Sequence, residues 1–114
     1  MKQTACAVLA AWLAALASVA SAGDDAPAPP EPRRSQLVNM LLEDCGSCHG
    51  MTMKGGLGPP LLPGSLAGRD SGALSRVILD GRPGTPMPPW RPFLSPEEAR
   101  WMIDLLKKGV PHAR

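Results

Sequence analysis

The sequence predicts a small all-α fold of about three main helices joined by ordered loops. Three observations predict it. Apolar residues recur at helical spacing in three stretches: ahead of residue 45, over 71–80 and over 96–108. The segments between them are dense in helix breakers, and the chain carries 12 glycines and 14 prolines among its 114 residues. Between the first two helical stretches stands Cys45-Gly46-Ser47-Cys48-His49, the C-x-x-C-H spacing of a c-type haem attachment site.

The chemistry of that motif explains its spacing. Thiols three residues apart on a helical turn share one face, so Cys45 and Cys48 can each add to one haem vinyl group. The next residue, His49, then lies beneath the iron as the proximal ligand. A thioredoxin-like dithiol would sit near a βαβ pattern, and none is visible. A closed zinc site needs four ligands, and the other histidine, His112, stands alone near the C-terminus. One covalent haem c is therefore the expected cofactor. It also answers a problem of composition. A short chain with no tyrosine and one phenylalanine lacks apolar bulk for a core, and a porphyrin supplies a broad apolar disc.

Residues 1–22 read as a secretory signal peptide. Lys2 supplies the positive start, Ala7 to Ala17 the apolar stretch and Ala20-Ser21-Ala22 the cleavage site, so the expected cut follows Ala22. A retained N-terminal anchor is the competing reading, but the apolar run is short against the roughly 20 residues a bilayer span needs. Export implies a periplasmic location and no stable membrane insertion after cleavage. Cleavage also removes Cys6 and leaves two cysteines, both in the haem motif. Lys2 is the one charged residue in 1–22, so the mature chain keeps eleven of the 12 basic residues against 10 acidic ones. This near-neutral balance gives no reason to expect nucleic acid as a partner. Residues 23–34 form a Pro/Ala-rich linker, expected to be extended and mobile, and 35–114 form the folded domain.

The first helix is expected from Ser35, as N-cap, to the haem motif, with Leu37, Val38, Leu41 and Leu42 on its apolar face. Residues 50–70 hold six glycines and three prolines and read as an ordered loop. Within it, the Gly58-Pro59 turn can present the Pro59 carbonyl to His49. Ligating histidines usually donate their second ring N–H to such an acceptor. A plain proline turn is the alternative. Met51 and Met53 lie too close to His49 in sequence to reach the opposite haem face. The second helix fits Ser71 to Asp80, capped by Ser71 and stopped by Gly81, with Asp80 and Arg82 as a possible pair.

Prolines interrupt Arg82-Pro83-Gly84-Thr85-Pro86-Met87-Pro88-Pro89-Trp90 throughout, so it is neither helix nor central strand. A loop so stiffened suits holding one side chain in place. Met87, with proline on both sides, is the candidate for the second axial ligand, because a thioether is soft and suits ferrous iron. Gap filling is the alternative for this methionine, and His112 and Met102 are rival ligands. Trp90 is expected against the ring or its edge. The last helix opens with Ser95-Pro96-Glu97-Glu98, a capping box with proline at the first helical position. Ala99, Met102, Ile103, Leu106 and Val110 make its stripe, and Gly109 with Pro111 stops it.

This order of helix, C-x-x-C-H, Gly-Pro-x-Leu, helix, Pro-Met-Pro loop and helix resembles the class I cytochromes c over residues 35–110. The resemblance implies a helical bundle round one haem, bound covalently at Cys45 and Cys48. His49 and Met87 would be the axial ligands, with the Pro59 carbonyl on the histidine. The strings Asp44 to Thr52, Lys54 to Pro59, Ile78 to Thr85 and Met87 to Leu94 are similar to the small periplasmic cytochromes c-55X, or NirC. Those accompany haem-cd nitrite reductase in denitrifying bacteria. What this implies is an electron carrier, not an enzyme, with nitrite reductase and an upstream electron donor as partners. The alternative role is redox assistance in maturing the reductase's d-type haem. A gas-binding haem protein, with Met87 off the iron, is a further rival.

Overall fold

The computed structural model describes residues 25–110. The expected signal peptide, its cleavage site, Pro111 and the rival ligand His112 lie outside these residues. Among them the regular structure is helical, with no strand. No described helix is long and apolar enough to cross a membrane.

The C-terminal helix, Pro96–Lys108, organises the rest. The Ser95 side chain accepts from the Glu98 N–H at 3.1 Å, and Glu98 accepts from the Ser95 N–H at 2.9 Å, closing both halves of the capping box. From that start Ala99, Trp101, Met102, Ile103 and Leu106 all point inward and are buried. Burying one such side chain stabilises by roughly 1.5–3 kcal/mol, which explains why this stripe is the centre of the core. Packed on it are Ser71–Asp80 and, more narrowly, Pro63–Leu66 and Arg33–Met40. In chain order the helices are α1 (Arg33–Met40), α2 (Gly46–His49), α3 (Pro63–Leu66), α4 (Ser71–Asp80) and α5 (Pro96–Lys108). A π-helical turn, Leu41–Cys45, joins α1 to α2 without a break. Leu37, Leu41, Leu66, Ile78 and Leu79 from these elements, with Met53, Leu94 and Val110 from the segments outside them, complete the core.

Several boundaries differ from expectation, each for a local reason. The first helix starts at Arg33, not Ser35. Pro32 stands at the N-cap without a side-chain cap bond, and Ser35 lies inside the helix, where its N–H donates to the Glu31 carboxylate at 3.2 Å and its hydroxyl at 2.7 Å. The segment read as a mobile linker is tied to α5. The Ala26 N–H donates to buried Asp104 at 2.9 Å, and Lys108 pairs with Asp25 at 2.6 Å. The loop over 50–70 contains the single turn α3, which starts on Pro63 and buries Leu66. Asp70 caps α4 in place of Ser71, accepting from the Ala73 N–H, while the Ser71 hydroxyl accepts from Lys107 at 2.8 Å. Asp80 pairs with Arg91 and not with Arg82.

Candidate haem site

Cys45 ends the π-helical turn, and Cys48 and His49 lie in α2. All three are partly buried. A π-turn carries an extra residue against α-helical spacing and is frequent at functional sites. Burial, helped by the neighbouring Asp44 carboxylate, pushes the Cys45 thiol up to about 11. The direction is opposite to the lowered thiol pKa of a redox-exchange cysteine. Among the described residues, no group of three or more His, Cys, Asp or Glu side chains converges as a metal site.

His49 is fixed from the loop that follows it. Its Nδ1 lies 2.7 Å from the Pro59 carbonyl oxygen, and as the carbonyl can only accept, Nδ1 carries the proton. The lone pair is thereby assigned to Nε2 and left for a metal. Backbone bonds hold the loop in that position. The Gly55 N–H donates to the His49 carbonyl and the Gly58 N–H to the Cys48 carbonyl, both at 2.8 Å. Met53 completes the turn with a left-handed φ of 59°, its side chain buried and its carbonyl accepting from the Leu61 N–H at 2.8 Å. Gly58 lies against the imidazole itself. A β-carbon there would stand 2.7 Å from both Cε1 and Nδ1 of His49, closer than real contacts allow.

The proline-rich loop is braced on α4. The Arg82 N–H donates to the Met87 carbonyl at 3.1 Å. The Trp90 and Arg91 N–H groups reach the Ile78 and Leu79 carbonyls at 3.0 and 3.1 Å. Met87 and Trp90 are partly buried and pack against the core cluster, as do Leu61, Leu62 and Leu74. Trp90 also makes an edge contact with Phe93, the ring centres 5.9 Å apart. The other methionines have different surroundings. Met53 and Met102 are fully buried in the core, Met51 is exposed and Met40 packs beside the core. The donor set fits a c-type haem. It comprises two thiols on one helical turn, an imidazole with Nδ1 already committed, a thioether on a stiff loop, and apolar side chains only partly covered by protein.

Gly58, which lies against the ring, was not legible as functional: it reads as part of a turn, and nothing in one sequence shows what lies against a glycine.

Residues 35–106 match the family described as cytochrome C oxidase, cbb3-type, subunit III. A cytochrome c55X of Paracoccus denitrificans (strain Pd 1222) is 51% identical over 100 residues, spanning 88% of this chain and 93% of its own length. The chain belongs to the cytochrome c55X family. Membership makes it a c-type cytochrome and an electron carrier, not an enzyme, and carries haem binding with it. The solved structure of a c-type cytochrome NirC superposes with a TM-score of 0.68 at 49% identity, covering 70% of this chain and 94% of that one. A dihydro-heme d1 dehydrogenase, NirN, solved in complex with DHE, superposes with a TM-score of 0.57 at 34% identity. The match covers 64% of this cytochrome and 16% of that protein, so the likeness is to one part of a larger chain.

Proposed function

We propose that this cytochrome c55X holds one haem c through thioether bonds from Cys45 and Cys48, with His49 and Met87 as axial ligands. It works in the periplasm after loss of residues 1–22 and passes single electrons to haem-cd nitrite reductase. The observation that carries the reading is the His49–Pro59 contact at 2.7 Å, which commits Nδ1 and orients Nε2 as a metal donor. When bound, the haem supplies a ferric–ferrous couple, whose potential a thioether ligand raises relative to a second imidazole. The protein's part is to hold that imidazole and thioether in place, so that no open position is left for a substrate.

The test is the rate at which pre-reduced protein is oxidised by purified haem-cd nitrite reductase in the presence of nitrite. Fast, saturable oxidation that slows in Met87→His supports the donor role. Oxidation no faster than without the reductase overturns it.

A second reading is favoured by the likeness to NirN, named a dihydro-heme d1 dehydrogenase. In it, the cytochrome exchanges electrons with an assembly partner during maturation of the d-type haem. A complex with such a partner that persists at high salt distinguishes this from a transient carrier, whose electrostatic docking is screened.

A further inference from the structure

Gly81 ends α4 with φ 67° and ψ −170°, a combination open to essentially no residue but glycine. What it makes room for is the backbone of the methionine loop. A β-carbon at Gly81 would lie 2.7 Å from the Met87 carbonyl oxygen, 2.7 Å from the Pro88 carbonyl carbon and 2.8 Å from the Pro89 nitrogen. All three are backbone atoms held by proline rings and hydrogen bonds, so they cannot swing aside as the end of a flexible side chain would. Met87 is thus pressed onto the last turn of α4 at the one residue that permits it.

A second contact fixes the other side of Met87. The Thr85 hydroxyl donates to the Arg82 carbonyl at 2.6 Å and accepts from the Met87 N–H at 3.3 Å. Both backbone polar groups of Met87 are therefore used, its carbonyl by the Arg82 N–H and its N–H by Thr85. Neither contact involves the thioether, which is left free to point where the backbone aims it.

We propose that Gly81 and Thr85 are positioning residues for the Met87 thioether: the missing side chain of one and the hydroxyl of the other set the backbone from which Met87 reaches the iron. This inference rests on the axial role proposed for Met87. It adds that the ligand is held by the end of α4 and not by the proline rings alone.

The same loop contains a control. Gly84 also has a left-handed φ, 76°, in the turn closed by the Thr85 N–H to the Arg82 carbonyl, but a β-carbon there meets nothing within 4 Å. Alanine at Gly84 strains the loop without touching Met87.

The experiment measures carbon monoxide affinity and the visible spectrum of the ferrous holoprotein for wild type, Met87→Ala, Gly81→Ala, Thr85→Val and Gly84→Ala. Carbon monoxide competes for the position Met87 holds, so its affinity reports how often that position is open. Gly81→Ala should bind it at least about tenfold more tightly than wild type, approaching Met87→Ala. Thr85→Val removes both bonds of the hydroxyl and should gain at least roughly fivefold, the worth of the one made to Met87. Gly84→Ala should lose thermal stability and keep the wild-type affinity and spectrum. A Gly81→Ala protein no different from Gly84→Ala overturns the proposal. Should Gly81→Ala not accumulate as holoprotein, Thr85→Val decides, and unchanged affinity there overturns it equally. A Met87→Ala protein that gains no affinity instead overturns the axial role of Met87, and the positioning claim with it.

Discussion

Gly58 stands so close to His49 that a β-carbon on it would lie 2.7 Å from the ring's Cε1 and Nδ1. The ring could yield only by tilting away from the Pro59 carbonyl, which it meets at 2.7 Å through that same Nδ1. Gly58→Ala should therefore cost the hydrogen bond. A histidine that no longer donates to a carbonyl is a weaker base and stabilises ferric iron less, so the reduction potential should rise. A net bond of about 1 kcal/mol corresponds to roughly 40 mV for one electron. Potentiometric titration of wild type and Gly58→Ala measures the shift, and an unchanged or lower potential contradicts the assignment.

The start of α1 is joined to the start of α5 by a forked pair. Arg33 Nε donates to Glu98 Oε1 at 2.6 Å, and Arg33 Nη2 reaches Glu98 Oε2 at 3.0 Å and the Phe93 carbonyl at 2.8 Å. Glu98 thus serves the capping box and the pair at once. The Arg33 hydrogen bond comes first among the causes holding the Glu98 carboxyl below its ordinary 4.5, while burial opposes it. A depressed folded pKa means the unfolded chain binds the extra proton. The stabilisation is therefore complete above about 4.5 and is lost as pH falls through the folded value. Glu98→Gln should lower stability by about 1 kcal/mol at pH 7, a modest figure because both side chains are partly solvated. Its stability should also fall less steeply than wild type between neutral and acid pH. Urea unfolding at pH 7, 4.5 and 3 tests both, and parallel acid limbs would contradict the pairing.

The covalent haem reading makes a harder prediction for the two thiols. In Cys45→Ser with Cys48→Ser together, acid denaturation followed by organic extraction should remove all of the haem, while in wild type it stays with the polypeptide. Leu61, Leu62, Leu74, Met87 and Trp90 are left only partly covered by protein. A double variant that loses its haem should therefore also unfold at lower temperature, since that apolar surface returns to water. Haem extractable from wild type would refute the thioether assignment.

The parts legible in the sequence were those governed by local rules. Ser95, Pro96 and Glu98 declare the start of α5 because a capping box is a short-range device, and the apolar stripe behind it reads directly as core. The C-x-x-C-H spacing was equally plain. What stayed hidden depends on distant partners. Asp80 chose Arg91, 11 residues on, over Arg82 because the loop turns back along α4. The Ala26 N–H meets Asp104, 78 residues away, a contact that composition alone could not show. The contacts of Gly58 and Gly81 are the extreme case, because their function lies in an absent side chain.

Met53 offers the sharpest test of how the His49 loop is held. It is the one non-glycine among the described residues with a positive φ, 59°, and it is also among the largest fully buried side chains. These two facts pull in opposite directions. A left-handed methionine is strained by roughly 1 kcal/mol or more, yet its burial is worth more than the strain costs. Met53→Ala keeps the strained backbone and empties the cavity, so it should destabilise by about 2–5 kcal/mol. Met53→Gly empties the same cavity but removes the strain. At an ordinary buried position glycine is worse than alanine by roughly 0.5–1 kcal/mol, whereas here the order should reverse. Thermal unfolding of the two holoproteins settles it: Met53→Gly melting above Met53→Ala shows that the side chain is tolerated in a conformation the loop imposes. The opposite order would mean that the turn from Gly50 to Leu61 relaxes once the side chain is gone. In that case the Pro59 carbonyl would move from His49 as well, and the two variants would differ from wild type in reduction potential as Gly58→Ala does.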